Sequence, residues 1–477
     1  MTQDDKRSRE FRERGAASIL FLLLIPVLFG AIALALDFGT LVYQREHLSN
    51  ALDSAALAAA QELPNNPAAA KTTAIKFAQA NDPKSNPTIT FWCVVASSGA
   101  GKTVDAGQVP GICDPGTTAG ARCSTSICAI PCTAVAGHVC NTITVADGRN
   151  VPFSFAPVIG IKSGNTGALS ANACRGSCGA MSPNPMDVAI VADRTGSMID
   201  TNRNAMVAGI KNTLQTMTQT QQYVALGTIH RSSATPGSCI TTPSTTATTG
   251  PWIPVPFSNN YTLPPAIPGT KPPLNTSSTL VSGLNCLSAS SKGTFLASPM
   301  KAAARYVLGL DPNNLSGPGK LPDRSSPARK AIIFETDGQP NETSVGAYKS
   351  LGTAGDMGST DGDVACANLT NIANEAKAAP NNVIIVTVAF GDAYSKKCSD
   401  SSKALYVRDV LAGAASPDAK KNPSKADNDC STAALRAAEN SDGDNFFCAA
   451  DGSELGPIFT SAINAISPNA HLLRIPD

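Results

Sequence analysis

Met186–Ser197 reads MDVAIVADRTGS. Its apolar run, Val188 to Ala192, stops at Asp193-x-Thr195-x-Ser197. A short apolar run bounded by turn formers predicts a buried strand. A carboxylate and two hydroxyls on the loop leaving that strand are oxygen ligands of the kind a small hard cation takes. In an open α/β sheet, ligands sit at the carboxyl ends of the strands. The stretch therefore predicts a divalent-metal site on a mostly parallel sheet.

Two later stretches complete the set. Lys330–Gly338, KAIIFETDG, is a second apolar run ending in a carboxylate, Asp337. Ser298 stands in ASPMKAAARYVL, at the head of an apolar helix. Asp193, Thr195, Ser197, Ser298 and Asp337 form the expected oxygen-only shell, with Thr294 as the substitute for Ser298. These motifs resemble the von Willebrand factor A (VWA) family over about residues 186–467. The resemblance implies a Rossmann-like, doubly wound α/β fold. It also implies a metal-ion-dependent adhesion site (MIDAS), in which Asp-x-Ser-x-Ser, a Thr and Thr-Asp-Gly hold the ion. Here Thr195 replaces the first Ser and Ser298 the usual Thr, and both swaps keep a hydroxyl. The expected ion is Mg²⁺, with Mn²⁺ or Ca²⁺ as alternatives. Mg²⁺ prefers six oxygens at about 2.0–2.1 Å. In the family one position is left for an acidic residue of a protein partner.

At the other end, residues 1–15 carry Lys6, Arg7, Arg9, Arg12 and Arg14. Ala16–Leu36 follows without a charge, long enough to span a bilayer. The next basic residue is Arg45. This asymmetry predicts a single-pass transmembrane helix with a cytoplasmic N-terminus and the body outside. Ala33-Leu34-Ala35 also fits a signal-peptide cleavage site, but the apolar run is long for that. Phe38, Leu41, Val42, Leu48, Leu52, Ala55, Ala56 and Ala59 continue the helical spacing, and Pro64 should end it.

The run RGAASILFLLLIPVLFGAIALALDFGTLVYQREHLSNALDSAALAAA resembles the N-terminus of TadG-like proteins of Tad/Flp pilus assembly. Val151–Ile161, VPFSFAPVIGI, is similar to the segment that closes that family's first domain. The resemblance implies a pilus-assembly component in the bacterial inner membrane, working with other pilus-assembly proteins. It sets the expected organisation: residues 16–36 span, 37–162 form the Tad-like region, 163–185 link, and 186–467 form the VWA domain. Cleavage after Gly15, as in prepilins, is not expected, because Leu20 stands where those pilins carry Glu.

Composition narrows the classes further. A net charge of +1 with only 15% charged residues lacks the basic footprint of a nucleic-acid binder. Fourteen cysteines suit pairing in an oxidising compartment. Residues 89–178 form a cysteine-rich, partly β region holding Cys93, Cys113, Cys123, Cys128, Cys132, Cys140, Cys174 and Cys178. With His138, four of these offer a zinc reading, but the paired spacing of common zinc modules is missing. Disulfides are expected instead, in a pairing the sequence does not fix.

ASSGAGKT at 96–103 imitates a phosphate-binding loop. The sequence after it, VDAGQVPGICDPG, cannot form the helix that chemistry needs. Residues 231–293 interrupt the α/β alternation as a Pro/Ser/Thr-rich insertion, with Cys239 and Cys286 placed to clip it. Residues 339–363 read as a solvated loop, and His230 as a packed or solvated residue rather than a ligand. No Gly-x-Ser-x-Gly elbow is present, and a binding module rather than an enzyme is expected. A metal-dependent surface adhesin and a metal-dependent hydrolase are the alternatives.

Overall fold

The computed structural model describes residues 3–476, apart from 64–65, 99–100, 105–116, 134–139, 177, 179–184, 218, 220, 265–271, 311–320, 322–326, 344–345, 416–427, 441–443 and 467–469. Cys113, His138 and the Gly/Asn-rich end of the expected linker lie outside the described residues.

The first part of the chain runs α1 (Gln3–Ala60), α2 (Pro67–Asn81), β1 (Thr88–Ala96), β2 (Arg122–Cys123), β3 (Ile127–Cys132), β4 (Thr142–Asp147), β5 (Asn150–Pro152), β6 (Ser163–Asn165) and β7 (Leu169–Cys174). It continues with β8 (Met186–Asp193), α3 (Asp200–Leu214), β9 (Gln222–Ile229), β10 (Val255–Ser258), α4 (Thr279–Asn285) and α5 (Ala297–Val307). The last elements are β11 (Arg329–Thr336), α6 (Gly362–Lys377), β12 (Ile384–Phe390), α7 (Val407–Ala414), α8 (Ala433–Glu439), β13 (Phe446–Ala449), α9 (Gly452–Ile466) and β14 (His471–Leu472).

The chain folds as two compact units. One holds Met1–Trp92, Thr142–Cys174 and Ala470–Ile475. In it, α1 is a single helix whose stretch Val27–Ala60 is long and apolar enough to cross a membrane, and only 6% of the apolar window in that stretch is buried. The later half buries one stripe, Leu48, Leu52, Ala55, Ala56 and Ala59, at helical spacing. Small residues of α2 (Ala70, Ala74, Ala78) and alternate residues of β4 and β7 (Ile143, Val145, Ala171, Ala173) cover it. Phe38 and Val42, on the same predicted spacing, stay exposed.

Strands β14, β7, β4 and the first half of β1 lie side by side, all antiparallel. Residues 163–174 are thus not linker: they carry β6 and β7, with β7 paired residue for residue to β4. Its inward positions are Ala171 and Ala173, so the alternation that marks a half-buried strand is faint in the sequence.

The second unit, Cys93–Asn141, Arg175–Asn469 and Pro476–Asp477, is built on a sheet of order β10-β9-β8-β11-β12-β13. Every pairing is parallel except the edge strand β10, which runs antiparallel to β9. The order counts outward in both directions from β8, the doubly wound pattern with its switch point at β8. All eight residues of β8 are buried, as expected of a parallel strand covered on both faces.

Val188, Ile190 and Ala192 pack against α3, α4 and α9. Ala189 and Val191 face the side covered by α5, α6 and α7. Helices α3 and α9 approach closely at Gly209: a β-carbon there would sit 2.8 Å from Gly456 Cα. This is the doubly wound, mostly parallel α/β architecture expected from the sequence.

Disulfides join Cys123 to Cys128, Cys132 to Cys140, Cys239 to Cys286, Cys366 to Cys398 and Cys430 to Cys448. The clip across the insertion is the one expected. Of the phosphate-loop look-alike, Gly99 and Ala100 lie outside the described residues; on either side of them Ser97 and Val104 bridge antiparallel and Ser98 N donates to Thr103 O at 2.7 Å. The insertion is more ordered than its composition suggests. It supplies β10, α4 and the buried Trp252 and Tyr261.

Candidate metal centre

Parallel pairing sets Val191 level with Phe334, so the carboxyl ends of β8 and β11 emerge together. Asp193 closes β8 and Asp337 follows β11. This is the crevice beside a switch point, where open α/β sheets take ligands. Asp193 is fully buried. Its Oδ1 accepts from the Thr195 backbone N–H and from the Thr195 hydroxyl, both at 2.8 Å. Its Oδ2 accepts from the Thr336 hydroxyl at 2.7 Å and from Asp337 N–H at 3.4 Å. The Thr195 and Ser197 hydroxyls lie 3.2 Å apart, and Ser197 donates to Asp337 Oδ1 at 2.7 Å. Asp193, Thr195, Ser197 and Asp337 are therefore brought together.

Ser298 is not. Its hydroxyl donates to Met357 O at 2.6 Å and accepts from Met357 N–H at 3.1 Å. The residue lies one position inside α5, on the face that holds the loop after β11. Lys301 Nζ donates to the carbonyls of Lys349 and Gly355, and Arg305 to that of Leu351. Spacing of three and four puts the three side chains on one helix face. The loop at 339–363 is consequently not simply solvated: Leu351 and Met357 are buried beneath it, and Asp361 caps the start of α6.

Thr294, just ahead of α5, takes the place expected of Ser298. Its hydroxyl donates to Thr195 Oγ1 at 3.2 Å. Asn341 pins it there, accepting from Thr294 N–H and donating its own N–H to Thr294 O at 3.2 Å.

Two supports went unread in the sequence. Thr336 steadies Asp193. Glu335, fully buried, accepts from Asp193 N–H at 3.0 Å, while its second oxygen has no hydrogen-bond partner. A Glu interrupting the buried run KAIIF is the signal that would have found it.

Burial pushes the Asp193 carboxyl up. Burial and the neighbouring Asp193 raise Glu335 well above its ordinary range. The same two causes lift Asp337 to about 7. Three buried carboxyls crowd one cluster of oxygens that opens to solvent at Ser197. That donor set fits a hard dication, whose charge offsets both the repulsion and the cost of burial.

Residues 15–62 match the sequence profile of a family described as Putative Flp pilus-assembly TadE/G-like. The match covers the apolar part of α1 and its continuation. A search among curated proteins finds no match. Among solved structures, the chain is similar to the pilus adhesin SpaC from Lactobacillus rhamnosus GG, at 13% identity and a TM-score of 0.37, over 69% of this chain and 33% of that one. The vWF domain of the type V pili tip protein Mfa5 from Porphyromonas gingivalis is 13% identical with a TM-score of 0.30, over 59% of this chain and 96% of that one. Manganese-loaded Plasmodium vivax TRAP protein is 10% identical with a TM-score of 0.28, over 69% and 80%. The chain thus spans about a third of the length of SpaC.

Arg194 and His230 flank the centre and are both buried. Arg194 is no solvated loop residue. Its guanidinium donates to the carbonyls of His230 (3.1 Å), Arg231 (2.9 Å) and Thr241 and to the Ser232 hydroxyl (2.9 Å). Burial lowers it to about 9, opposed by the charge of Asp193. His230 packs with Nδ1 3.1 Å from the Ser290 hydroxyl. Burial and then Arg194 push its imidazole down to about 4, so it is neutral in the working range.

The raised Asp337 carboxyl carries a pH prediction. Its folded value lies above its ordinary 3.8. A group of that kind favours the metal-free fold fully below about pH 4, and the contribution is lost as pH rises through about 7. The Tm of chelated protein should therefore fall between about pH 5 and pH 8, and Asp337→Asn should flatten that slope. Added Mg²⁺ should raise Tm more at pH 8 than at pH 5, because the ion must displace the protons. Equal Mg²⁺ shifts at both pH values would contradict the assignment.

Proposed function

We propose that this chain is a membrane-anchored, envelope-exposed component of Tad/Flp pilus assembly, and that its VWA-like unit binds a protein partner through a divalent ion. The observation that carries the proposal is the chain of oxygens from Thr294 through Thr195 and Ser197 to Asp337, with Asp193 beneath it. Asp193, Thr195, Ser197, Thr294 and Asp337 would hold the ion, and Mg²⁺ suits this neutral-hydroxyl and carboxylate set best. When bound, the ion supplies a site of positive charge that attracts an acidic side chain of the partner.

The protein's own residues do the rest. Thr336 and the backbone of Thr195 and Asp337 aim Asp193, Asn341 fixes Thr294, and Arg194 ties the metal loop to the insertion. The family match over α1 supports the pilus assignment. The apolar length of α1, with five basic residues before the uncharged run and none after it until Arg45, supports an inner-membrane anchor with a cytoplasmic N-terminus. We read the role as binding rather than catalysis, because the gathered side chains are oxygen donors that would hold an ion.

The test is recovery of the full chain from native membranes in Mg²⁺ or in a chelator. Pilus-assembly proteins should co-purify in Mg²⁺ and be lost on chelation or in Asp337→Ala. The same companions under both conditions would refute metal-dependent binding. Recovery without any pilus-assembly protein would refute the pilus role.

A further inference from the structure

The hairpin β5–β6 runs alongside α1 and carries an apolar tip that nothing in its own unit covers. Its base is fixed low on the helix, where Arg149 donates to Gln44 Oε1 at 2.6 Å and pairs with Asp82 at 2.6 Å. Higher up, the backbone of Gly164 presses on Leu41: a β-carbon at 164 would lie 2.6 Å from Leu41 Cδ2. The Phe153 ring then meets Phe38, with centroids 5.8 Å apart. At the top, Asp37 accepts from the backbone N–H groups of Ser154, Phe155 and Ala156 at 2.9, 2.9 and 2.6 Å.

These contacts step from residue 44 back to residue 37, roughly 10 Å along a helix rising about 1.5 Å per residue. The hairpin therefore advances towards the apolar half of α1, and its tip lies beyond the last contact. The tip is a rigid turn, closed by Phe153 N–H to Lys162 O at 3.0 Å and Ile161 N–H to Ala156 O at 3.1 Å. It displays Phe155, Val158, Ile159 and Ile161, all exposed, with Val158 at 92%. No charge occurs from Val151 to Ile161, and Lys162 follows immediately.

We infer that this tip inserts into the outer interface of the bilayer that α1 crosses. The inference rests on the membrane-anchor reading of α1. Asp37 is the first charged residue after the uncharged run ending at Leu36, which sets it at the lipid boundary. Farther along α1 towards its N-terminus, Val27, Leu28, Phe29, Ile32 and Leu36 are likewise apolar and exposed. A patch of this kind exposed to water is unusual and marks an interaction surface. Lys162 sits where a basic side chain reaches the phosphates while its stem stays with the chains. The hairpin becomes a second foot beside the helix, fixing how the first unit stands on the membrane.

The test uses the full chain reconstituted in liposomes with and without bromine-labelled acyl chains. Tryptophan is introduced singly at Val158, at Phe29 within the span, and at Ala68 in the first turn of α2. Each is read against the parent, which carries Trp92 and Trp252. Both Val158→Trp and Phe29→Trp should lose fluorescence to brominated lipid and emit further to the blue, while Ala68→Trp should match its unbrominated control. Quenching at Phe29→Trp with none at Val158→Trp would overturn the inference while leaving the anchor standing. No quenching at either position would overturn both. Because Val158 touches so little of the protein, its replacement leaves the fold intact.

Discussion

Thr294→Ala is expected to weaken Mg²⁺ binding by at least about tenfold, while Ser298→Ala leaves it unchanged. Asp193→Ala and Asp337→Ala should each abolish it. Calorimetric titration of the four variants separates the two hydroxyls that the sequence offers for one ligand position. The reasoning is geometric. The Thr294 hydroxyl lies 3.2 Å from that of Thr195, whereas both hydrogen-bonding functions of Ser298 are spent on Met357. Loss of the Ser298 hydroxyl should instead appear as lower stability, about 1–3 kcal/mol for backbone groups left without a partner. Weakened Mg²⁺ binding in Ser298→Ala with full binding in Thr294→Ala would reverse the assignment.

That exchange illustrates where sequence reading reached its limit. Strands β8, β11 and β12 are legible because parallel strands buried on both faces read as unbroken apolar runs. The two aspartates are legible for the same reason, since the β8 run stops at Asp193 and the β11 run is followed three residues after Phe334 by Asp337. The third hydroxyl comes from the turn before α5, where no periodicity ranks one oxygen above another. Only the phase of the helix decides, and it turns Ser298 together with Lys301 and Arg305 towards the 349–357 loop.

Small or awkward residues hid other elements. Ala171 and Ala173 make β7 faint, and Pro256 disguises β10, which tolerates it as an edge strand. The tail strand β14 has only two residues. The apolar tip at Phe155–Ile161 was visible as a string of letters. Its exposure, and its position past Asp37, depend on the hairpin's register against α1, which no local pattern encodes.

Arg194→Met should cost about 3–5 kcal/mol of unfolding free energy, since each buried acceptor left without its donor costs about 1–3 kcal/mol. The guanidinium serves acceptors from three places at once: the end of β9 at His230, the first turn of the insertion at Arg231 and Ser232, and Thr241 near the Cys239–Cys286 disulfide. Methionine fills a similar length but donates nothing, so several carbonyls lose their partner in a dry environment. Lysine keeps the charge and loses the planar fork, and Arg194→Lys should fall between the two. Arg194 also sits between Asp193 and Thr195, two of the proposed metal ligands, so the brace holds that loop in place. Mg²⁺ affinity should accordingly decline in Arg194→Met even at temperatures where the variant is fully folded. Denaturant titration with and without Mg²⁺ measures both effects. A variant within about 1 kcal/mol of the parent, below the cost of even one orphaned buried group, would mean that the insertion is held by its disulfide and packing alone.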